Sequence, residues 1–464
     1  MHIEPFVEAT PLDELARRLG DRPGLCWLDG SAAHPEGRYS MLMSDPVEWV
    51  VAPAGDPEPL ARLAQLQSRA PDAAAPDPGS DRHGPLPLPS EVPRWVGYLA
   101  YDLCFTVGAR RSRPPEPTSD APLLCFARYA AVLIERHQDG RRFVIGDDAK
   151  SCQDVFARLQ VPAAAGGASA ESCQDVFARP ACRAPGPLHI PDPAAHLAAI
   201  AQAKDAIAAG DVYQVNLARR FEARFAGDAL ALWSALRDAS PVPLGMYFHA
   251  RGPRVLSRSM ERFLRWHRPS RALRTRPIKG TVARAPGGDA QGRADLLADP
   301  KERAEHVMIV DLMRNDLSRV AELGSVRVEE ALRVEPFAGL QHLVSSVACR
   351  TRPDLGLRDI LEATFPPGSV TGTPKLRAIE IIDQLEAAPR GLYTGALGFV
   401  DRAGGLSLSV AIRTAVLHGE RLHYYSGGGI VEASDPQREL AETELKARVF
   451  FDALQRLSPG RELR

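Results

Sequence analysis

The chain has 464 residues, 45% of them hydrophobic and 25% charged, with a net charge of −1. That length predicts two or three domains with a sizeable core, and the balanced charge excludes a global field for nucleic acid or an anionic membrane. Seven cysteines without a Cys-x-x-Cys spacing exclude a disulfide framework or a zinc site and point to reduced, intracellular usage. The N-terminus has no basic, apolar leader and no apolar run approaches ~18 residues, so the expected location is the cytoplasm, with no membrane partner.

In chain order, residues 11–19 predict a helix capped by Thr10 with Pro11 in its first position, followed by short strands. Residues 51–92, rich in Ala, Pro, Asp and Gly, predict a short helix at 60–67 flanked by loop. Strands are expected at 95–100 and 129–134. The octapeptide SCQDVFAR occurs at 151–158 and again at 172–179, around the spacer AAAGGASA. Two copies are too few for a solenoid, so the expectation is a tandem duplication in a tolerant loop, with neither Cys152 nor Cys173 in a site. A Pro-rich linker follows at 180–193. The domain boundaries read as 1–148 for an N-terminal companion domain, 149–193 for a flexible linker and 194–455 for the catalytic domain. The catalytic half opens with a helix at 196–210 and strands at 212–225 and 243–251.

That half carries the chemistry. Lys279, in Arg-Pro-Ile-Lys-Gly-Thr, sits where a Gly-Thr turn can present its amine to a pocket, and desolvation or a neighbouring cation would make it a nucleophile. Glu261 is a carboxylate that could act as general acid. On the helix predicted at 299–317, Glu305 lies in an otherwise apolar tract, where a carboxylate is costly unless paired or metal-bound. Asp311, Arg314 and Asp316 could form local ion pairs on the same helix. The run 368–375, Gly-Ser-Val-Thr-Gly-Thr-Pro-Lys, opens another helix with Thr373 as cap; its free N–H groups suit a carboxylate as well as a phosphate. Gly427, Gly428 and Gly429, inside a strand-like run, imply close approach by a ligand or a bulge. Beyond Asp435-Pro436, Glu439, Glu442 and Lys446 share one helix face, a stripe able to hold a hard cation and an anionic ligand together. Arg413 and His342 are isolated polar groups on apolar strands, and a guanidinium there calls for a carboxylate partner.

Residues 196–450 resemble the chorismate-utilising enzymes. The segments that carry the resemblance are GDVYQVNLARRF, RPIKGT, KERAEHVMIVDLMRND, QHLVSSV, FPPGSVTGTPKLRAIEIID, YTGALGF, SVAIRT and GGGIVEASDPQRELAETELKA, in fixed order. The N-terminal third is similar to the companion domain of anthranilate synthase component I-like members, through WLDGSAAHPEGRYSML and WVGYLAYDL. Within the family, Pro-Ile-Lys-Gly-Thr marks enzymes making 4-amino-4-deoxychorismate, on the way to 4-aminobenzoate and folate. Alanine at the lysine position marks those making anthranilate, the nearest alternative.

The resemblance implies roles. Glu305 and Glu442 would bind magnesium, with Glu439 nearby through water. Magnesium, the backbone of Gly427, Gly428 and Gly429, and Lys446 would hold the ring carboxylate of chorismate. Arg413 and Tyr393 would hold the enolpyruvyl carboxylate, and His342, Ser369 and the Gly372 backbone would line the ring. Glu261 would protonate the departing hydroxyl while Lys279 attacks the ring, with purely electrostatic assistance from the lysine as the alternative. Two departures stand out. Met260 precedes Glu261 where the family pattern is Ser-Pro-Glu. The tryptophan-binding run of many relatives reads Trp27-Leu28-Asp29-Gly30-Ser31 here. With no glutaminase triad region unassigned, a separate glutamine amidotransferase subunit is expected to supply ammonia, and a separate lyase to finish 4-aminobenzoate. Beta-rich runs alternating with helices without regular βαβ spacing predict an α+β fold, and the resemblance implies mostly antiparallel sheets packed together with helices outside.

Overall fold

The computed structural model describes residues 1–30, 34–68, 87–112, 121–160, 188–284, 289–337 and 340–457. Two large antiparallel sheets stack face to face, as the α+β expectation holds. The first has eleven strands and runs from His2–Phe6 at one edge, through Cys26–Asp29, Leu244–His249, Arg254–Ser259 and Thr414–His418, to Arg421–Ile430, Gln214–Arg224 and Gly372–Thr373 at the other. The second has ten and runs from Ile278–Ala283 and Leu340–Arg350, through Arg262–His267 and Ala396–Asp401, to Pro93–Leu99 and Glu48–Ala52. Val96, Tyr98 and Leu397 from the second sheet meet Met41, Phe248 and Val255 from the first in the core between them. Helices cover both outer faces: Leu12–Leu19, Ala229–Ala239 and Pro436–Arg456 on the first, Pro300–Ser318 and Leu357–Thr364 on the second. The order of layers is helix, sheet, sheet, helix.

This architecture corrects the domain reading. Cys26–Asp29 pairs with Leu244–His249, and Pro93–Leu99 pairs with Ala396–Asp401, so the first 148 residues complete the sheets of the catalytic half rather than forming a separate body. The first octapeptide copy is also not a loop. It lies in the helix Ala149–Gln160, whose Cys152 and Leu159 are fully buried against the first sheet, as apolar positions on one helix face require. The second copy, its spacer and residues 180–187 of the expected linker lie outside the described residues.

Capping explains most of the boundaries. Asp192, Asp299 and Asp435 each accept backbone N–H bonds at the start of the helices Pro193–Ala208, Pro300–Ser318 and Pro436–Arg456, each with proline in its first turn. Two predicted caps are wrong. Pro11 has extended backbone and precedes Leu12–Leu19, while the Thr10 hydroxyl bonds to Glu8. Thr373 sits in the short strand Gly372–Thr373, and Pro374 precedes the helix Lys375–Leu385.

Candidate functional site

The strand Arg421–Ile430 forms the floor of the site. It pairs with Gln214–Arg224 in unbroken register, Gly427 opposite Ala218, Gly428 opposite Leu217 and Gly429 opposite Asn216, so the three glycines make no bulge. They make room instead. A β-carbon on Gly427 would lie 3.0 Å from Tyr393 Oη; on Gly428, 3.0 Å from Glu439 Oε2; on Gly429, 2.9 Å from Lys279 Nζ and 2.5 Å from Gln214 Nε2. Groups from four elements thus reach bare backbone, the close approach that glycine inside a strand permits.

Lys279 arrives from the strand Ile278–Ala283, which pairs with Leu340–Arg350. The register shifts between Lys279 and Thr281, where Gly280 takes φ of 75°. Left-handed backbone at that bulge favours glycine, and a β-carbon there would meet Glu302 Oε2 at 3.0 Å. Among the described residues no hydrogen bond or ion pair holds the Lys279 amine. Its charge is felt by Glu261, His306, Glu442 and Lys446, which surround it.

Glu261 is buried. Desolvation pushes its carboxyl up to about 7, against hydrogen bonds from Ser369 and the Ile278 N–H and against the Lys279 charge. Met260 in place of proline leaves the carboxyl in the site. The Glu261 carbonyl accepts from Val410 N–H at 3.0 Å, and the Ser259 hydroxyl donates to the Val410 carbonyl at 2.7 Å, so the neighbouring strand fixes the segment. His342 Nδ1 lies 3.2 Å from the Gly280 carbonyl and 3.0 Å from Thr281 Oγ1, while its buried Nε2 has no partner among the described residues. Since the carbonyl can only accept, Nδ1 carries the proton and Nε2 is a free acceptor. Burial, then the Arg413 and Lys446 charges, lowers this imidazole to about 4.

Four carboxylates face one another from two helices. On Pro300–Ser318, Glu305 lies 3.8 Å from Lys301, and Glu302 is raised by burial and then by repulsion from Glu305, Asp299 and Glu442. On Pro436–Arg456, burial raises Glu439, with Glu442 and Glu305 adding to the shift and the Ser434 hydroxyl, 2.7 Å away, opposing it. Burial also raises Glu442, but the Lys446 ammonium at 2.5 Å outweighs it and holds the carboxyl below its ordinary range. Hard oxygen donors that repel one another suit a hard cation. Among the described residues no three Asp, Glu, His or Cys side chains converge on one point.

Lys446 also donates to the Gly427 carbonyl at 2.9 Å, and burial pulls its ammonium down. Arg413 has left-handed backbone, φ 52°, and donates to the Lys446 carbonyl at 2.6 Å. Its charge reaches Tyr393, whose buried hydroxyl burial pushes above its usual range. Arg413, Tyr393, Lys446 and Gly427 therefore meet at one end of the floor, with Glu261, Ser369, Lys279 and Gly429 further along. Gly372 is placed differently. With φ of 153°, and a β-carbon that would fall 2.1 Å from the Gln214 carbonyl, it serves a tight pairing with Val215. Lys375 of the same glycine-rich run belongs to the scaffold, bonded to Asp316 at 2.5 Å and to the Thr364 and Pro366 carbonyls.

Four residues at the site escaped the sequence reading. Glu302 lies three positions before Glu305, a spacing that places both on one helix face. Gln214 and Asn216 are buried amides two apart on an apolar strand, with side-chain oxygens that lack partners among the described residues. His306, fully buried, bonds to Ser345 Oγ at 2.7 Å and is lowered to about 4 by burial and then by Lys279. A histidine within an apolar helix face was the signal.

Over residues 30–452 the sequence matches the family described as chorismate binding enzyme. It is 36% identical over 476 residues to the aminodeoxychorismate synthase of Streptomyces griseus, covering 96% of this chain and 62% of that protein. It is 45% identical over 236 residues to aminodeoxychorismate synthase component 1 of Klebsiella aerogenes, covering 50% and 52%. It is 41% identical over 258 residues to anthranilate synthase component 1 of Aquifex aeolicus, covering 55% and 52%. The matched segments thus span 52% to 62% of the length of these relatives. Anthranilate synthase component I from Streptococcus pneumoniae TIGR4 superposes with a TM-score of 0.74 at 29% identity, covering 89% of this chain and 92% of that one. The menaquinone-specific isochorismate synthase from Escherichia coli shares the fold, with a TM-score of 0.70 at 19% identity over 98% and 94%. A family match across nine-tenths of the sequence, on this fold, shows that the chain belongs to the chorismate binding enzyme family.

Proposed function

We propose that the chain is the chorismate-aminating component of an aminodeoxychorismate synthase, converting chorismate and ammonia to 4-amino-4-deoxychorismate. One observation carries the reading: the Lys279 amine, without a hydrogen bond among the described residues, faces the glycine floor beside Glu261, a buried acid at about 7. The names of the Streptomyces and Klebsiella relatives support the same product.

In this mechanism the Lys279 ammonium first releases a proton to solvent, and the lone pair of the resulting amine forms a bond to C2. The ring double bonds shift and the C4 hydroxyl leaves as water with the Glu261 proton. Ammonia then bonds to C4, the double bonds shift back and the C2–N bond to Lys279 breaks. The proton shed by the new C4 ammonium returns to Glu261, restoring both groups. Arg413 and Tyr393 hold the enolpyruvyl carboxylate, while Lys446 and the Gly427, Gly428 and Gly429 backbone hold the ring carboxylate. The His342 Nε2 acceptor and Ser369 line the ring. Magnesium, held by Glu305 and Glu442 with Glu439 and Glu302 behind them, would neutralise the ring carboxylate. A separate glutamine amidotransferase subunit would supply ammonia. No described helix is long and apolar enough to cross a membrane, and the five described cysteines are unpaired, which supports a cytoplasmic setting.

The test couples the purified chain, magnesium, chorismate and ammonium to a lyase that releases 4-aminobenzoate. Coupled 4-aminobenzoate is the expected product. Fluorescent anthranilate formed without the lyase would replace this reading with anthranilate synthase component I.

A further inference from the structure

Tyr393 forms a stack that the reaction scheme leaves unused. Its ring lies over that of Tyr425, with centroids 5.0 Å apart and planes 10° from parallel. Tyr425 stands two positions before Gly427 on the same strand, so both face the same side. The Tyr425 hydroxyl donates to the Pro389 carbonyl at 2.6 Å, tying that strand to the loop that leads to Tyr393. The Arg390 guanidinium lies 5.6 Å from the centroid of the Tyr393 ring. Arg390 is itself locked by Glu386 at 2.7 Å, the Val370 carbonyl at 2.9 Å and the Asn216 carbonyl at 2.8 Å. Ala218 and Ile412 complete the cluster. The Tyr393 ring is thus braced by an aromatic face and by a fixed cation, and among the described residues its own hydroxyl has no hydrogen-bond partner.

Resting on the chorismate reading above, we infer that Tyr425 is a positioning residue, holding the Tyr393 ring so that its hydroxyl meets the substrate carboxylate above Gly427. One strand then supplies both the bare backbone under the substrate and the brace for the side chain over it. A leucine at 425 leaves one face of the Tyr393 ring without a flat partner, and the hydroxyl loses its fixed place.

The experiment is steady-state kinetics with chorismate, ammonium and magnesium on wild type, Tyr425→Leu, Tyr425→Phe, Tyr393→Phe and the two double variants. Because positioning acts on substrate binding, Tyr425→Leu is expected to raise KM for chorismate roughly tenfold with kcat within about twofold. Tyr425→Phe, which keeps the stack and loses the hydroxyl's bonds to the Pro389 carbonyl and to Arg220, is expected to raise KM about threefold. Added to Tyr393→Phe, neither change raises KM further, because residues acting through one hydroxyl are not additive. If the leucine variant does not fold, the phenylalanine variant and its double carry the test alone. An unchanged KM in the Tyr425 variants, or full additivity with Tyr393→Phe, overturns the inference while leaving the chorismate reading intact. Wild type that fails to convert chorismate removes that reading and this inference with it.

Discussion

Two lysines, both announced by glycine-rich turns, end in opposite states. Lys375 spends all three of its N–H donors on Asp316 Oδ2 at 2.5 Å and on the Thr364 and Pro366 carbonyls at 2.7 and 2.9 Å. Lys279 spends none among the described residues, and it faces Gly429 beside Glu261. The local sequences, Ile-Lys-Gly-Thr and Thr-Pro-Lys-Leu, do not separate these fates. What separates them is whether the fold supplies acceptors. A saturated ammonium ties a helix to a loop, whereas an unsaturated amine at a bare strand is left for a substrate.

The largest effect expected of that contrast is on rate. Lys279→Ala should lower amination on the order of 10^4-fold, the upper range for a positioned catalytic group, with little change in thermal unfolding. Glu261→Gln should cost about 10^3-fold. The wild-type rate should fall as pH rises through about 7, where Glu261 loses its proton, and this limb should be missing from the glutamine variant. The same group links stability to pH. Its folded value lies above the unfolded one, so the folded state holds more protons between about 4.5 and about 7, and stability declines as pH rises across that window. Glu261→Gln should flatten this decline in melting curves taken from pH 5 to 8.

Gly429→Ala sharpens the comparison, since its methyl would crowd Lys279 Nζ and Gln214 Nε2. Displacement of this kind should cost on the order of 10^2-fold in kcat while the protein stays folded. Glu302→Gln should weaken magnesium binding by roughly tenfold in calorimetry, as expected for a partner behind the direct ligands. Lys375→Ala should leave kcat of the folded fraction within about twofold, yet destabilise the chain by about 3–5 kcal/mol because Asp316 is left buried and unpaired. A rate loss there as large as that of Lys279→Ala would break the contrast.

Much of the site was legible because its chemistry lies in short local runs. Lys279 beside glycine, three consecutive glycines, and two carboxylates and a lysine on one helix stripe all carry their spacing with them. Glu302 was equally local, one helical turn from Glu305, but its charge alone did not distinguish it from the solvated residues around it. Gln214 became visible only when the fold brought its side-chain amide against Gly429. The sheets were less legible. Pairing of Cys26–Asp29 with Leu244–His249 joins segments more than two hundred residues apart, and alternation along one strand says nothing of its partner. For the same reason the first octapeptide copy looked like a loop. Its apolar face has meaning only against the sheet that buries Cys152.

The most direct test is mass spectrometry of the product formed from chorismate, magnesium and ammonium at mildly alkaline pH, by wild type and by Lys279→Ala. The account predicts 4-amino-4-deoxychorismate from wild type and its loss in the variant. Anthranilate or unreacted chorismate from wild type, or undiminished product from the variant, would contradict it.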